Sequence, residues 1–258
     1  MLTEKMIIVY YTAIGGGIMN IAVLLAGGIG KRLGAGKPKQ FVEILGKPMI
    51  LYAMEIYEKS SLIDAIEIVC VREYIDYVWK LAKNNRVTKL KWVVEGGASC
   101  QESTRNGIFA LEGEASPDDM ISVNMSSSIF VSEEILEDSF RIAGKYGSAF
   151  AALPCVYNNA ETEDGISSTK INFKEKNRTL NMPWTASFGK LDAMYHKAYE
   201  ENIETGETAY MPTLFLALGE PLYFSLDDGL NKIHIQRPAD IEIAEAVIEY
   251  RRKKGTSL

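Results

Sequence analysis

Five short apolar runs recur along the chain: IAVLLA (21–26), AIEIVCV (65–71), LKWVV (90–94), MISVN (120–124) and SAFAAL (148–153). They are rich in β-branched residues and bounded by turn residues, so each reads as a buried strand. Segments with helical spacing separate them, over 47–59, 73–83, 103–111 and 132–145. In the first of these, Ile50, Leu51, Met54 and Ile56 are apolar and Pro48 sits near the start. Alternation of this kind calls for an α/β fold, a mostly parallel twisted sheet with helices on both faces. Right-handed crossovers follow by default.

The pattern breaks at about residue 155. CVYNNAETEDGISSTKINFKEKNRTLNMP is polar, carries a DG turn signal and alternates weakly at Thr169, Ile171 and Phe173. It reads as a β-arm over about 156–180 that leaves the domain. A lone ribbon is marginal in water, so the arm needs a partner surface. A helix over 189–202, strands over 221–226 and 232–236, and a closing helix over 238–252 complete the chain. In the closing helix Ile241, Ile243, Ala244, Val247 and Ile248 form the apolar face.

Composition narrows the function. The 258 residues, 47% hydrophobic and 24% charged, suffice for one large or two small globular domains. A net charge of -6 and a pI near 5.2 argue against a nucleic-acid partner, yet local basic residues still allow a small anionic ligand. Cys70, Cys100 and Cys155 lack CxxC spacing and read as free thiols of a reducing compartment, the cytoplasm. Two histidines, His196 and His234, are too few for a His-based metal centre. No apolar run reaches the roughly 18–20 residues of a membrane span. Residues 1–18, MLTEKMIIVYYTAIGGGI, faintly resemble a signal peptide but lack a cleavage site. The preferred reading makes them leader and starts the domain at Met19, because three glycine codons before Met19 read as a purine-rich ribosome-binding site.

The first apolar run leads into LLAGGIGKRLGAGKPKQF (24–41). Two common phosphate loops fail here. A Walker A loop needs Ser or Thr after Gly36-Lys37, where Pro38 stands, and Gly at 31, where Lys31 stands. The dinucleotide fingerprint started from Gly28 needs Gly at 33, where Leu33 stands. The physics of such loops remains. Glycines after a buried strand let backbone N–H groups approach an anion, and Arg32 and Lys39 can bracket phosphates. Pro38 stiffens the segment before Lys39. A glycine-rich surface turn with solvated lysines is the bland alternative. Position after the first strand of an α/β sheet favours a ligand loop.

LAGGIGKRLGAGKPKQFVEILGKPMI resembles the signature of the cytidylyltransferases that act on methylerythritol 4-phosphate and of their ribitol 5-phosphate relatives. The pattern is an LAxGxGxR segment, then PKQ, then L-x-GKP. VVEGGASCQESTRNGI (93–108) and KIHIQRPADIEIAEA (232–246) match two further family stretches, so the resemblance runs from about residue 19 to the end. It implies a Rossmann-like nucleotidyltransferase fold with a seven-stranded sheet, and a homodimer formed through the protruding arm. It also implies transfer of CMP from CTP to a sugar-alcohol phosphate, with release of pyrophosphate and with magnesium. By resemblance Arg32 and Lys39 are catalytic, holding the triphosphate and stabilising the charge that builds in the transition state. Leu25, Ala26, Gly27, Gly28 and Gly30 line the nucleotide, Gly96 and Gly97 pass close to cytosine, and Ser103 hydrogen-bonds the nucleotide or caps its helix. Thr185, Thr208, His234 and Arg178 are the candidates for holding the acceptor.

The chain also departs from the family. In VNMSSSIF (123–130), Met125 stands where the resemblance puts a magnesium-binding Asp, Asn124 where it puts His, and Ser128 where it puts Arg. A thioether is a poor ligand for a hard cation, so the metal ligand is left unassigned. His234 replaces a phosphate-gripping lysine, Cys100 an arginine, Ala186-Ser187 the Pro-Gln after Thr185, and Ala209 the Asp after Thr208. Asp227 and Asp228 either supply a replacement carboxylate or are solvated turn residues. Three functions follow: a CTP-dependent nucleotidyltransferase, a catalytically impaired relative acting as a nucleotide- or partner-binding scaffold, and a sugar-nucleotide enzyme using another base.

Overall fold

The structure is a computed structural model that describes residues 17–28, 36–203, 210–231, 233 and 235–255. Most of the expected leader, residues 1–16, lies outside the described residues. The core is a seven-stranded sheet. In chain order its members are β1 (Asn20–Ala26), β4 (Ala65–Cys70), β5 (Leu90–Glu95), β6 (Met120–Met125), β7 (Ser148–Pro154), β10 (Arg178–Ser187) and β11 (Phe224–Ser225). Two short ladders join them, β2 (Glu43–Ile44) with β3 (Lys47–Pro48), and β8 (Asn159–Glu161) with β9 (Lys170–Asn172). The sheet order is β11-β7-β10-β6-β1-β4-β5, parallel except for β10, which runs antiparallel to β6 and β7.

The helices are α1 (Met49–Lys59), α2 (Ile75–Asn84), α3 (Cys100–Ala110), α4 (Glu133–Tyr146), α5 (Phe188–Glu200), α6 (Met211–Ala217) and α7 (Pro238–Lys254). β1 sorts them by alternation. Ala22, Leu24 and Ala26 pack with Ile50, Met54, Val78 and Ile135 of α1, α2 and α4. Ile21, Val23 and Leu25 pack with Ile108, Leu191 and Phe215 of α3, α5 and α6. Every residue of β4 is buried, which is why the central strands read as unbroken apolar runs. A third cluster, with Ile44, Tyr52, Phe130, Ile235, Ala244 and Ile248, seats α7. Gly147 ends α4 at φ 86, where a Cβ would be strained.

Several expectations change. The strand over 221–226 shrinks to Phe224–Ser225, the two residues in register with β7. Residues 233, 235 and 236 of the expected strand over 232–236 are not in a strand. Ile233 and Ile235 alternate because they face the third cluster. Ile243 points outward on α7 and is half-exposed. Within the expected arm lies the β8–β9 ribbon, while β10 begins at Arg178 and joins the main sheet. The three cysteines are free thiols. Among the described residues no helix is long and apolar enough to cross a membrane.

Candidate functional site

β1 has β4 on one side and β6 on the other, so the chain leaves its C-terminal end one way and later returns on the opposite flank. Ligands of open α/β sheets enter at such a switch point. Here the ends of β1, β4 and β5 enclose a cleft of about 230 Å³ lined by Gly27, Val71, Arg72, Glu73, Glu95, Gly96 and Gly97.

Ser103 organises the inner wall. Its Oγ accepts a hydrogen bond from the Gly97 N–H at 3.0 Å. A methyl group at Gly27 or Gly96 would come within 3.1 or 3.0 Å of that oxygen, and one at Gly97 within 2.3 Å of Glu102 Cβ. Three glycines therefore close around one buried hydroxyl. Ser103 is not the cap of its helix. Ser99 is, accepting from Glu102 N at 3.0 Å, while the Glu102 carboxylate accepts from Ala98 N at 2.7 Å. The capped, partly positive end of α3 thus borders the glycine wall.

Lys39 is placed by its neighbours. Pro38 (φ -56) starts a 3-10 turn over Lys39–Phe41. The buried Gln40 amide donates to the Ala26 carbonyl at the end of β1. Phe41 stacks on Tyr74 at 4.1 Å and 9°, with Tyr77 edge-on at 5.4 Å. Tyr74 closely follows Arg72 and Glu73, so the stack ties the lysine turn to the cleft's rim. The Lys39 chain passes Gly28, where a methyl would lie 3.8 Å from its Cε. Its charge reaches Cys100 at the start of α3. Burial pushes that thiol up to about 11, against the pull of the Thr104 hydroxyl and the Lys39 ammonium.

Sequence comparison now bears on this geometry. A sequence model of the family described as 2-C-methyl-D-erythritol 4-phosphate cytidylyltransferase matches residues 20–250. The chain belongs to this cytidylyltransferase family. A relative named ribitol-5-phosphate cytidylyltransferase from Lacticaseibacillus paracasei is 31% identical over 92% of this chain and 99% of its own length. Another of that name, from Vibrio parahaemolyticus, is 37% identical over 90% and 96%. A crystal structure of 2-C-methyl-D-erythritol 4-phosphate cytidylyltransferase from Thermus thermophilus shares the fold. Its TM-score is 0.67 and its identity 21%, over 89% of this chain and 98% of that one.

Of the residues carried over from the cytidylyltransferase signature, Gly27, Gly96, Gly97 and Ser103 meet at the cleft, with Gly28 and Lys39 beside it. Leu25 and Ala26 do not offer free carbonyls: the Leu25 oxygen accepts from Ser126 N at 3.0 Å and that of Ala26 from Gln40. Thr185 is fully buried in β10, its hydroxyl 2.8 Å from that of Ser139 on α4, so it is turned into the core and away from any acceptor. Arg178 is exposed where the arm meets the sheet. Gly30, Arg32, Thr208 and His234 lie outside the described residues. Asp227 is nearly buried and accepts from Asn181 Nδ2 at 2.6 Å and Gly229 N at 2.7 Å. Asp228 accepts from Leu230 N at 2.9 Å. Both serve the turn before α7.

Magnesium does not fit a protein-held place at the end of β6. Met125 brings a thioether, Asn124 donates to the buried Tyr57 hydroxyl and accepts from Met125 N, and buried Ser126, Ser127 and Ser128 follow. Hydroxyls and sulfur without a carboxylate are a poor set for a hard cation. Among the described residues the one three-membered group of metal-ligating type is Glu112, Asp192 and His196. It lies past the far end of α3, roughly 16 Å of helix from the glycine wall at 1.5 Å per residue.

Sequence reasoning missed Val71, Arg72, Glu73 and Glu95. Val71, Arg72 and Glu73 carry no motif, and Glu95 lies within the 93–108 stretch without a role assigned to it. Their signal was positional: each ends or follows a parallel strand at the edge where ligands bind.

Proposed function

We propose that this chain transfers CMP from CTP to a sugar-alcohol phosphate, with ribitol 5-phosphate as the first acceptor to test. The observation that supports this is the glycine-walled Ser103 hydroxyl beside the anchored Lys39 turn. In the reaction an acceptor phosphate oxygen bonds to the α-phosphorus of CTP, and the bond from that phosphorus to the bridging oxygen of pyrophosphate breaks. Lys39 neutralises negative charge as it builds on the departing group. Magnesium enters as the counter-ion of the triphosphate rather than on a carboxylate at position 125. Calorimetric titration with CTP, GTP, UTP and ATP, with and without magnesium, tests the reading. CTP binds most tightly, and magnesium strengthens it. Failure to bind any nucleotide would remove the proposal.

The same reading gives the arm a partner. Tyr157, Ile166, Ile171 and Phe173 are exposed, Ile166 at 92%, on or beside a two-stranded ribbon. Such a ribbon needs a covering surface. The surface proposed is a second copy of this chain, giving a homodimer. Sedimentation equilibrium should show a dimer for the unaltered protein and a folded monomer for the double variant Ile171→Asp, Phe173→Asp. A dimer that survives both charges would show that the arm is not the contact.

A further inference from the structure

Past the far end of α3 three side chains meet that the nucleotide reading does not use. Glu112 stands in the turn after α3, where its N–H donates to the Phe109 carbonyl at 3.2 Å. Asp192 and His196 lie one turn apart on α5. The two helices share a core: Ile108 and Leu111 belong to one buried cluster with Leu191 and Tyr195. The His196 ring stacks on Phe109 at 4.4 Å and 21°, so packing sets its plane. Its Nε2 lies 3.0 Å from Glu112 Oε1 and 3.5 Å from Asp192 Oδ1.

An ordinary ion pair does not account for this arrangement. One Nε2–H serves one carboxylate well, and Glu112 is the nearer. Asp192 Oδ1 lies beyond the usual N–H···O range of about 2.7–3.2 Å. That oxygen is buried and has no hydrogen-bond partner. Among the described residues no lysine or arginine pairs with either carboxylate. Two carboxylates thus face one imidazole, and positive charge is what the group lacks. The spacing suits a cation. Zinc–ligand bonds of about 2.0–2.2 Å at the tetrahedral angle put ligand atoms roughly 3.3–3.5 Å apart. The three ligand atoms here all lie within 4.8 Å of one another. The donor set selects the class: magnesium and calcium favour oxygen alone, whereas zinc takes imidazole nitrogen together with carboxylate oxygen. We propose that Glu112, Asp192 and His196 hold a zinc-class divalent cation, with water in the fourth position, which clamps the turn after α3 to α5. Two histidines are too few for a His-based centre, but one suffices where carboxylates supply the other two ligands.

The test is calorimetric titration of chelator-treated, nucleotide-free protein with zinc chloride, using the unaltered chain, His196→Ala, Asp192→Asn and, as a control for thiol binding, Cys155→Ser. His196→Ala and Asp192→Asn each weaken zinc binding by about 100-fold or more, past the 10–100-fold typical of losing a partner outside the ligand set. Cys155→Ser binds as the unaltered chain does. Excess magnesium chloride does not displace the zinc. Zinc at about 100 times its dissociation constant raises the thermal midpoint of the unaltered chain by about 5–10 °C, and leaves those of His196→Ala and Asp192→Asn unmoved. Without zinc these two variants melt close to the unaltered chain, because a partly exposed pair contributes little to stability. Zinc bound equally well by His196→Ala overturns the inference, as does an unaltered chain that binds none. Displacement by magnesium overturns the zinc-class assignment. Each of these results leaves the nucleotide reading standing.

Discussion

Lys39→Ala lowers pyrophosphate release from CTP, assayed with ribitol 5-phosphate, by about 10²–10³-fold, the cost typical of losing one preorganised charge-stabilising donor. The size follows from how the lysine is held. Gln40 is buried and bonded to the Ala26 carbonyl, and Phe41 is stacked on Tyr74, so the two residues after Lys39 are fixed to the end of β1 and to the rim beyond β4. The backbone from which the lysine projects is thereby fixed before substrate arrives. Its own side chain is only half-buried. The thermal midpoint of Lys39→Ala should accordingly stay within about 2 °C of the unaltered value, as expected for a surface change. Gln40→Ala behaves differently: it strands the Ala26 carbonyl and loosens the turn, so stability and turnover fall together. Full turnover in Lys39→Ala would show that the turn does not carry the reacting charge.

That turn also shows what the sequence can disclose. PKQ was legible as a motif, but the reason for Gln40 was not, since its partner is a main-chain carbonyl fourteen residues earlier. The parallel strands were legible because burial on both faces leaves no polar interruption; β4 has none but Glu67. β10 was not. RTLNMPWTAS mixes polar residues with a proline, and its register shifts between Leu180 and Trp184 where it passes from its pairing with the end of β7 to its pairing with β6 as well. The seven-residue α6 is too short for a period to declare itself. Ile233 and Ile235 imitate a strand because both face one cluster, although neither sits in a ladder. At the site, the glycines and Ser103 were readable through the family resemblance, and the structure supplies the reason for two of them: a Cβ at Gly27 or Gly96 would crowd the Ser103 hydroxyl. Arg72 and Glu95 were not, because a rim residue is defined by where its strand ends, and strand ends are what periodicity fixes least.

Glu67→Leu should stabilise the protein at neutral pH. Glu67 lies in the middle of β4, between Val23 of β1 and Trp92 of β5, and is fully buried. Neither carboxyl oxygen has a hydrogen-bond partner. A methyl at Gly107 of α3 would stand only 3.2 Å from Oε2, so the side chain is packed tightly under the helix. Burial therefore holds its pKa well above the ordinary carboxylate range. The sign follows from linkage. Above the unfolded pKa, near ~4.3, the unfolded chain releases this proton while the folded chain keeps it. The folded state then binds more protons, and stability falls as pH rises from that value towards the folded pKa. Leucine removes both the proton and the unmatched oxygens, which cost about 1–3 kcal/mol when buried without partners. For a chain of this size each kcal/mol moves the midpoint by about 2–4 °C. Thermal melts at pH 5 and pH 8 read the effect: Glu67→Leu gains more at pH 8 than at pH 5, and Glu67→Gln gains less than leucine because its amide is also unpaired. A lower midpoint for Glu67→Leu at pH 8 would mean that the carboxylate is matched inside the folded chain, and that the single charged residue of the central strands is there for a reason other than tolerance.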